Sequence, residues 1–220
     1  MGRVILRALR RQPDDEWLQR LGREIAYARE QDRALALFDA GQTENGMAAM
    51  QALVDRFPEE AELELWLASM TVTVGRVEVA AAHAQRAVVL RPSDPIVLFR
   101  AASTIRWSDT DRARALLEES KRLIATSAAE RDAFRPDFHH LEGLIEHDDG
   151  NLADAVWHLE QAFRTDPSGM GHGADLAVAY LEQDRHRPAL DVIARALEHH
   201  PSNQRLLDLQ RQAQDAAELD

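Results

Sequence analysis

The chain lacks cysteine and has few aromatic residues. With no cysteine among its 220 residues, disulfides, zinc–thiolate sites and cysteine nucleophiles are excluded. Aromatic residues make up only 5% of the chain, which disfavours a β-rich fold, because strands favour aromatic and β-branched residues. Hydrophobic residues still account for 45%, which is enough to bury a continuous helical core.

Long apolar runs and lysine are also scarce. No segment reaches the roughly 18 apolar residues of a membrane span, and Arg3 and Arg7 interrupt what would be the apolar part of a secretory signal. We therefore expect a cytoplasmic protein. Lys121 is the only lysine among 26 basic residues, an arginine bias typical of GC-rich bacterial genomes. The net charge of −12 disfavours general nucleic-acid binding, which needs a basic surface.

Proline, although infrequent, is placed periodically. Pro58 and Pro92 are 34 residues apart, and so are Pro167 and Pro201. Counting back from Pro92, Pro167 and Pro201, small or turn-forming residues recur at four fixed offsets of 5, 12, 17 and 24 residues. In order of offset these are Ala87, Ala162 and Ala196; Ala80, Ala155 and Ala189; Gly75, Gly150 and Asp184; and Ala68, Gly143 and Ala177.

This pattern predicts a helix-turn-helix unit stacked repeatedly. Small residues let two helices approach closely, the residue between the helices forms the turn, and the proline ends the second helix. The pattern resembles the tetratricopeptide repeat family, over roughly residues 33–201. The resemblance implies an all-α fold, an α-solenoid of stacked helix-turn-helix repeats, and a protein-interaction scaffold without catalytic activity or cofactor.

We predict a single repeat domain over residues 1–220, with five repeats and a C-terminal capping helix. The interval from Pro92 to Pro167 is 75 residues, two periods plus an excess of seven, so residues 125–135 are predicted to be an irregular insertion. A lengthened helix or an extra short helix would each absorb the excess. The predicted repeats are residues 33–58, 61–92, 95–124, 136–167 and 170–201, and the capping helix is residues 203–217.

The N-terminal segment, residues 1–32, departs from the period. Ala8 and Pro13 have the offset of Ala196 and Pro201, so residues 3–12 resemble the second helix of a half-repeat. Because Pro13 and Pro58 are 45 residues apart, residues 15–40 form either one long helix or two. Residues 1–11 are also basic and amphipathic, as membrane-surface helices are, but packing within the half-repeat is the favoured interpretation, so we expect no membrane contact.

Chemistry-bearing clusters are few. His139, Glu142 and Glu146 share one helix face, yet neither a His-x-x-x-His nor a Glu-x-x-His motif occurs in that helix. We therefore predict neither a metal site nor a catalytic one. His199 and His200 lie in a last helical turn, where imidazolium complements the helix dipole.

The predicted functional surface is a groove lined by the first helices of successive repeats. This follows from the resemblance, because tetratricopeptide proteins hold a peptide segment against those helices. Aromatic and arginine side chains dominate binding energy in interfaces, although an aromatic on a repeat helix also serves in packing between repeats. The predicted groove residues are Leu65, Trp66, Ser69, Thr73, Phe99, Arg100, Ser103, Arg106, Trp107, His140, Leu144 and His147.

The groove residues also suggest the partner's chemistry. Members that bind chaperone C termini use a clamp of lysine, asparagine and arginine, and here only Arg100 and Arg106 are available for it. An apolar protein segment with one or two acidic groups fits better, because guanidinium groups bind carboxylates bidentately. Two other functions remain open, a regulatory or targeting module associated with a larger enzyme, and a metal- or small-molecule-binding repeat protein. The oligomeric state is not predicted.

Overall fold

The computed structural model describes residues 15–124, 128–169 and 171–217, and these residues form an all-helical chain of eleven helices without strands. They divide into two compact units, one ending at Pro92 and the other starting at Ser93. The helices are α1 (Glu16–Asp39), α2 (Thr43–Arg56), α3 (Ala61–Thr73), α4 (Val77–Leu90), α5 (Pro95–Ile105), α6 (Thr110–Ile124), α7 (Ala128–Asp148), α8 (Leu152–Thr165), α9 (His172–Leu181), α10 (His186–His199) and α11 (Gln204–Ala217).

Consecutive helices pack in pairs joined by tight turns. The first unit contains the pairs α1–α2 and α3–α4, and the second contains α5–α6, α7–α8 and α9–α10. The residues at the predicted turn position adopt positive φ, +77° at Gly75 and +79° at Gly150, where glycine carries no steric penalty. Asp184 takes the same position with φ of +56°. The predicted helix-turn-helix repeat is confirmed.

The small residues lie where two helices cross. Ala68, Ala80 and Ala155 are fully buried. A Cβ atom at Gly143 would lie 2.6 Å from Cγ of Leu159, so no larger residue fits without movement. These positions therefore set the distance between the two helices of each repeat, as the periodicity predicted.

The N-terminal irregularity is one long helix. Residues 16–39 form the 24-residue helix α1, so the first of the two alternatives for residues 15–40 is correct. This helix packs on α2 through Ala34 and the partly buried Tyr27 and Phe38. The predicted half-repeat at residues 3–12 lies outside the described residues.

The seven residues in excess of two repeat periods between Pro92 and Pro167 lengthen a helix. The predicted irregular segment, residues 125–135, is helical from Ala128 onward, and residues 125–127 lie outside the described part of the chain. The prediction that the fourth repeat starts at Pro136 is therefore wrong, because that proline lies inside α7. Proline lacks the backbone N–H that bonds the preceding turn, so it costs one hydrogen bond here without ending the helix.

Aspartate side chains cap the starts of both helices of the third predicted repeat. Asp94 caps α5 by accepting hydrogen bonds from the backbone N–H groups of Ile96 and Val97, and Pro95 occupies the first turn. Asp109 accepts a hydrogen bond from the backbone N–H of Arg112 at the start of α6.

The core of the second unit continues into the last helix. Leu206, Leu209 and Ala213 of α11 are buried against side chains of α9 and α10, among them Leu176 and Ile193. The opposite side of α11 is polar and exposed, which confirms the predicted capping helix.

Candidate functional site

The first helices of the repeats in the second unit are joined at their ends by charged pairs. Arg106, which follows α5, forms an ion pair with Asp148 at the end of α7. His147 Nε2, near the end of α7, lies 2.6 Å from Oε2 of Glu182, which follows α9. Both pairs join C-terminal ends, so these helices lie side by side with the same direction. We call the side of α5, α7, α9 and α11 that carries these pairs the first-helix face.

A third bridge crosses the face near the N-terminal ends of α9 and α11. His140 Nε2 of α7 lies 2.7 Å from Oδ2 of Asp175 in the first turn of α9, and Arg205 of α11 donates to Oδ1 of the same carboxylate at 2.6 Å. Burial alone would raise the pKa of Asp175, but the hydrogen bonds and charges of His140 and Arg205 outweigh burial and hold it below its usual value. Asp175 is therefore an ionised link between three helices.

Arg106 and Trp107 form a stacked pair at the end of α5. The Arg106 guanidinium carbon lies 3.9 Å from the centroid of the Trp107 ring, within the range of a cation–π contact. Arg106 is buried, with 8% of its surface exposed, whereas Trp107 is 54% exposed. The Arg106 guanidinium therefore contacts both Asp148 and the Trp107 ring, and its role as a charge contact for a partner stays a prediction.

The other predicted residues of α5 and α7 are partly buried. Phe99 packs edge-on against Phe138 of α7, with ring centroids 5.8 Å apart, so part of its surface serves packing between repeats. Arg100, Ser103 and Leu144 are each half-buried along the same two helices. The structure therefore brings the predicted residues of α5 and α7 into one unit, with Trp107 the most exposed large side chain among them.

The predicted residues of α3 belong to the first unit. Leu65 is only 2% exposed and is a core residue, so it is unavailable to a partner. Trp66 is half-buried and packs against the core of that unit. Ser69 and Thr73 are exposed, and the Thr73 hydroxyl donates to the Ser69 carbonyl at 2.9 Å.

Several residues of the first-helix face were missed by the sequence analysis. Asp148, Asp175, Glu182 and Arg205 complete the bridges described above. A signal for two of them exists in the sequence, since His140 and Asp175, like His147 and Glu182, are separated by 35 residues, close to the repeat period. Complementary charges one period apart indicate contacts between neighbouring first helices.

The architecture and this face define an α-solenoid of helix-turn-helix repeats. Residues 32–95 match the family model for the tetratricopeptide repeat, which confirms the resemblance noted in the sequence. No curated protein sequence matches the chain. Within the described residues, no helix is long and apolar enough to cross a membrane.

Solved structures share the fold at low sequence identity. PilW, a type IV pilus biogenesis factor, has a TM-score of 0.64 and 12% identity, with 87% of this chain and 86% of that chain covered. A thermophilic tetratricopeptide repeat protein of Thermus thermophilus has a TM-score of 0.62 and 22% identity, with 87% and 98% covered. The APC/C hetero-tetramer Cut9–Hcn1 has a TM-score of 0.58 and 16% identity. Here the match covers 82% of this chain but spans only 34% of that chain.

Proposed function

We propose that this chain is a non-enzymatic scaffold that binds a segment of another protein on the first-helix face. The observation that carries the proposal is Trp107, a large aromatic side chain that is 54% exposed yet held in place by stacking on a buried arginine. A rigid, half-exposed tryptophan loses little conformational freedom on binding, and tryptophan is among the residues that contribute most to interface energy.

The face offers such a partner both apolar and polar contacts. Half-buried Phe99 and Leu144 lie on α5 and α7, and Val178 and Leu181 of α9 are partly buried hydrophobics of the same unit. The bridges that join the first helices make the face rigid before a partner arrives, which lowers the entropy lost on binding. An apolar segment is therefore the partner that this surface suits best.

One of the two arginines predicted to contact an acidic group of the partner is already paired within the chain. Of the two predicted contacts, Arg106 is buried and paired with Asp148, and Arg100 is half-buried on α5. The proposed partner is an apolar protein segment in which a single acidic group approaches Arg100 while the apolar side chains cover Trp107.

The test compares two tryptophans of equal exposure. Trp107→Ala and Trp157→Ala remove side chains that are 54% and 53% exposed, the second from α8, the second helix of its repeat. Each variant and the wild type are used to capture proteins from the native organism, with quantitative mass spectrometry. We expect a partner that Trp157→Ala retains and that Trp107→Ala loses.

The isolated partner then gives the magnitude. Trp107→Ala should weaken its binding by about 2 kcal/mol or more, roughly 30-fold, and Arg100→Glu should weaken it further. Unchanged helicity by circular dichroism separates lost contacts from lost folding. A partner that binds Trp107→Ala with wild-type affinity would show that the first-helix face is not the binding surface.

A further inference from the structure

Three potential metal ligands converge between α7 and α8. His139 and Glu142 are three residues apart on α7, which places both on one side of that helix. His158 comes from α8, the helix that packs against α7. The two α7 residues are recognisable in the sequence, but the imidazole of the second helix is not, because only the antiparallel pairing of the helices brings it close.

The distances between the three donor atoms are nearly equal. Glu142 Oε2 lies 3.1 Å from Nδ1 of His139 and 3.1 Å from Nδ1 of His158, and the two Nδ1 atoms are 3.3 Å apart. In a tetrahedral site with metal–ligand distances of ~2.0–2.1 Å, ligand atoms are separated by about 3.3 Å. The three atoms therefore already stand almost at the corners of one face of such a tetrahedron.

From this geometry we propose that His139, Glu142 and His158 form a binding site for a divalent late transition metal, with zinc as the ion it suits best. Imidazole nitrogen favours zinc, cobalt, nickel and copper over magnesium and calcium, which prefer all-oxygen sites. Two imidazoles and one carboxylate leave a fourth position open for water or an added ligand. The three side chains are 19–24% exposed, so an ion reaches them from solvent.

A neighbouring lysine positions the carboxylate. Lys121 of α6 donates a hydrogen bond to Oε1 of Glu142 and another, of 2.8 Å, to Oε1 of Glu118. Since Lys121 occupies Oε1, the other oxygen, Oε2, faces the two imidazoles. Partners of this kind, which orient a ligand without touching the metal, commonly raise metal affinity. Glu118 also balances the positive charge of Lys121 close to the site.

Trp157 supplies a local optical signal. Its ring lies edge-on to both histidines, with centroids 5.8 Å from His139 and 4.7 Å from His158. Nickel or copper bound by these residues would lie close enough to quench the fluorescence of this tryptophan, and zinc bound in the same place would protect it from that quenching.

The experiment uses the full chain without an affinity tag, stripped of metal with a chelator. Zinc is titrated by calorimetry and cobalt by its visible absorption, which identifies tetrahedral coordination. We expect one equivalent to bind, and we expect His158→Asn and Glu142→Gln each to weaken affinity at least about tenfold, the loss seen even for changes outside the ligand shell. His199→Asn, which alters an exposed histidine of α10, is the matched control and should bind as the wild type does.

Two further measurements keep the proposal falsifiable if one variant folds poorly. Zinc should raise the melting temperature of the wild type and of His199→Asn but not of His139→Gln, since binding to the folded state alone stabilises it. Trp157→Phe should retain the calorimetric stoichiometry while losing most of the nickel quenching. Wild-type binding no tighter than that of the ligand variants, or quenching that survives Trp157→Phe, would overturn the assignment.

Discussion

Replacing Gly46 with alanine sets two physical effects of opposite sign against each other. Gly46 lies in the first half of α2, where alanine would improve helix propensity by about 1 kcal/mol. The tetratricopeptide pattern also places alanine at this position in the other repeats, as at Ala80. Propensity and the repeat pattern alone therefore predict that Gly46→Ala stabilises the protein.

The packing of α2 on α1 predicts the reverse. A Cβ atom at Gly46 would lie 2.7 Å from the backbone nitrogen of Phe38 and 2.8 Å from the backbone oxygen of Ala34. Both are main-chain atoms of a helix, so relief requires the two helices to move apart around the fully buried Ala34 and Met50. Overpacking of this kind costs about 1–3 kcal/mol, which exceeds the gain in propensity. We expect a net destabilisation of about 1 kcal/mol.

The assay is urea unfolding followed by far-UV circular dichroism. Ala48→Gly on the same helix is the matched control, because Ala48 is exposed and its replacement should cost only the propensity, about 1 kcal/mol. Both variants should thus lower the unfolding midpoint, although they change alanine and glycine in opposite directions. A raised midpoint for Gly46→Ala would refute the close approach of α1 and α2 in this structure.

Three other predictions concern stability. Arg106→Ala should cost about 2–3 kcal/mol, because it removes the ion pair with Asp148, whose two side chains are only 9% and 17% exposed; a midpoint within error of the wild type would contradict this. Ala80→Leu should overpack a fully buried crossing and cost about 1–3 kcal/mol, and an unchanged melting temperature would count against the repeat assignment. Burial alone would lower the pKa of His172, but the Asp137 carboxylate and other acceptors raise it above its usual value. Its stabilising contribution is therefore complete below about pH 6.5 and lost as pH rises through the raised value. The difference in urea midpoint between the wild type and His172→Gln should shrink as pH rises, and a constant difference would contradict the prediction.

The repeat architecture could be predicted because its signals are local. Proline ends helices, glycine adopts positive φ at the turn, and small residues tolerate close helix contacts wherever they occur in a chain. Gly75, Ala80 and Pro92 carry those signals at fixed separations, and the structure uses each as expected. The capping of α5 by Asp94 with Pro95 in the first turn is equally local.

Predictions from the sequence differ from the structure where a contact or helix distant in sequence overrides a local signal. Pro136 looks like the start of a helix, yet the helix already runs from Ala128, and one lost hydrogen bond does not stop it. Arg106 looks like a surface charge beside an aromatic residue, but it pairs with Asp148, a residue 42 positions later. No feature near Arg106 in the sequence marks Asp148 as its partner.

By itself, the sequence determined the helical class, the repeat period and the identity of the residues that let helices cross, because those properties depend on backbone preferences and on side-chain size. Only the tertiary structure decided which polar groups meet where the repeat spacing does not relate them. In the tertiary structure, Arg106 packs against Trp107, and His139 and Glu142 lie beside His158. Such contacts depend on the relative placement of whole helices to within about an ångström, and that placement follows from the packing of every residue between them.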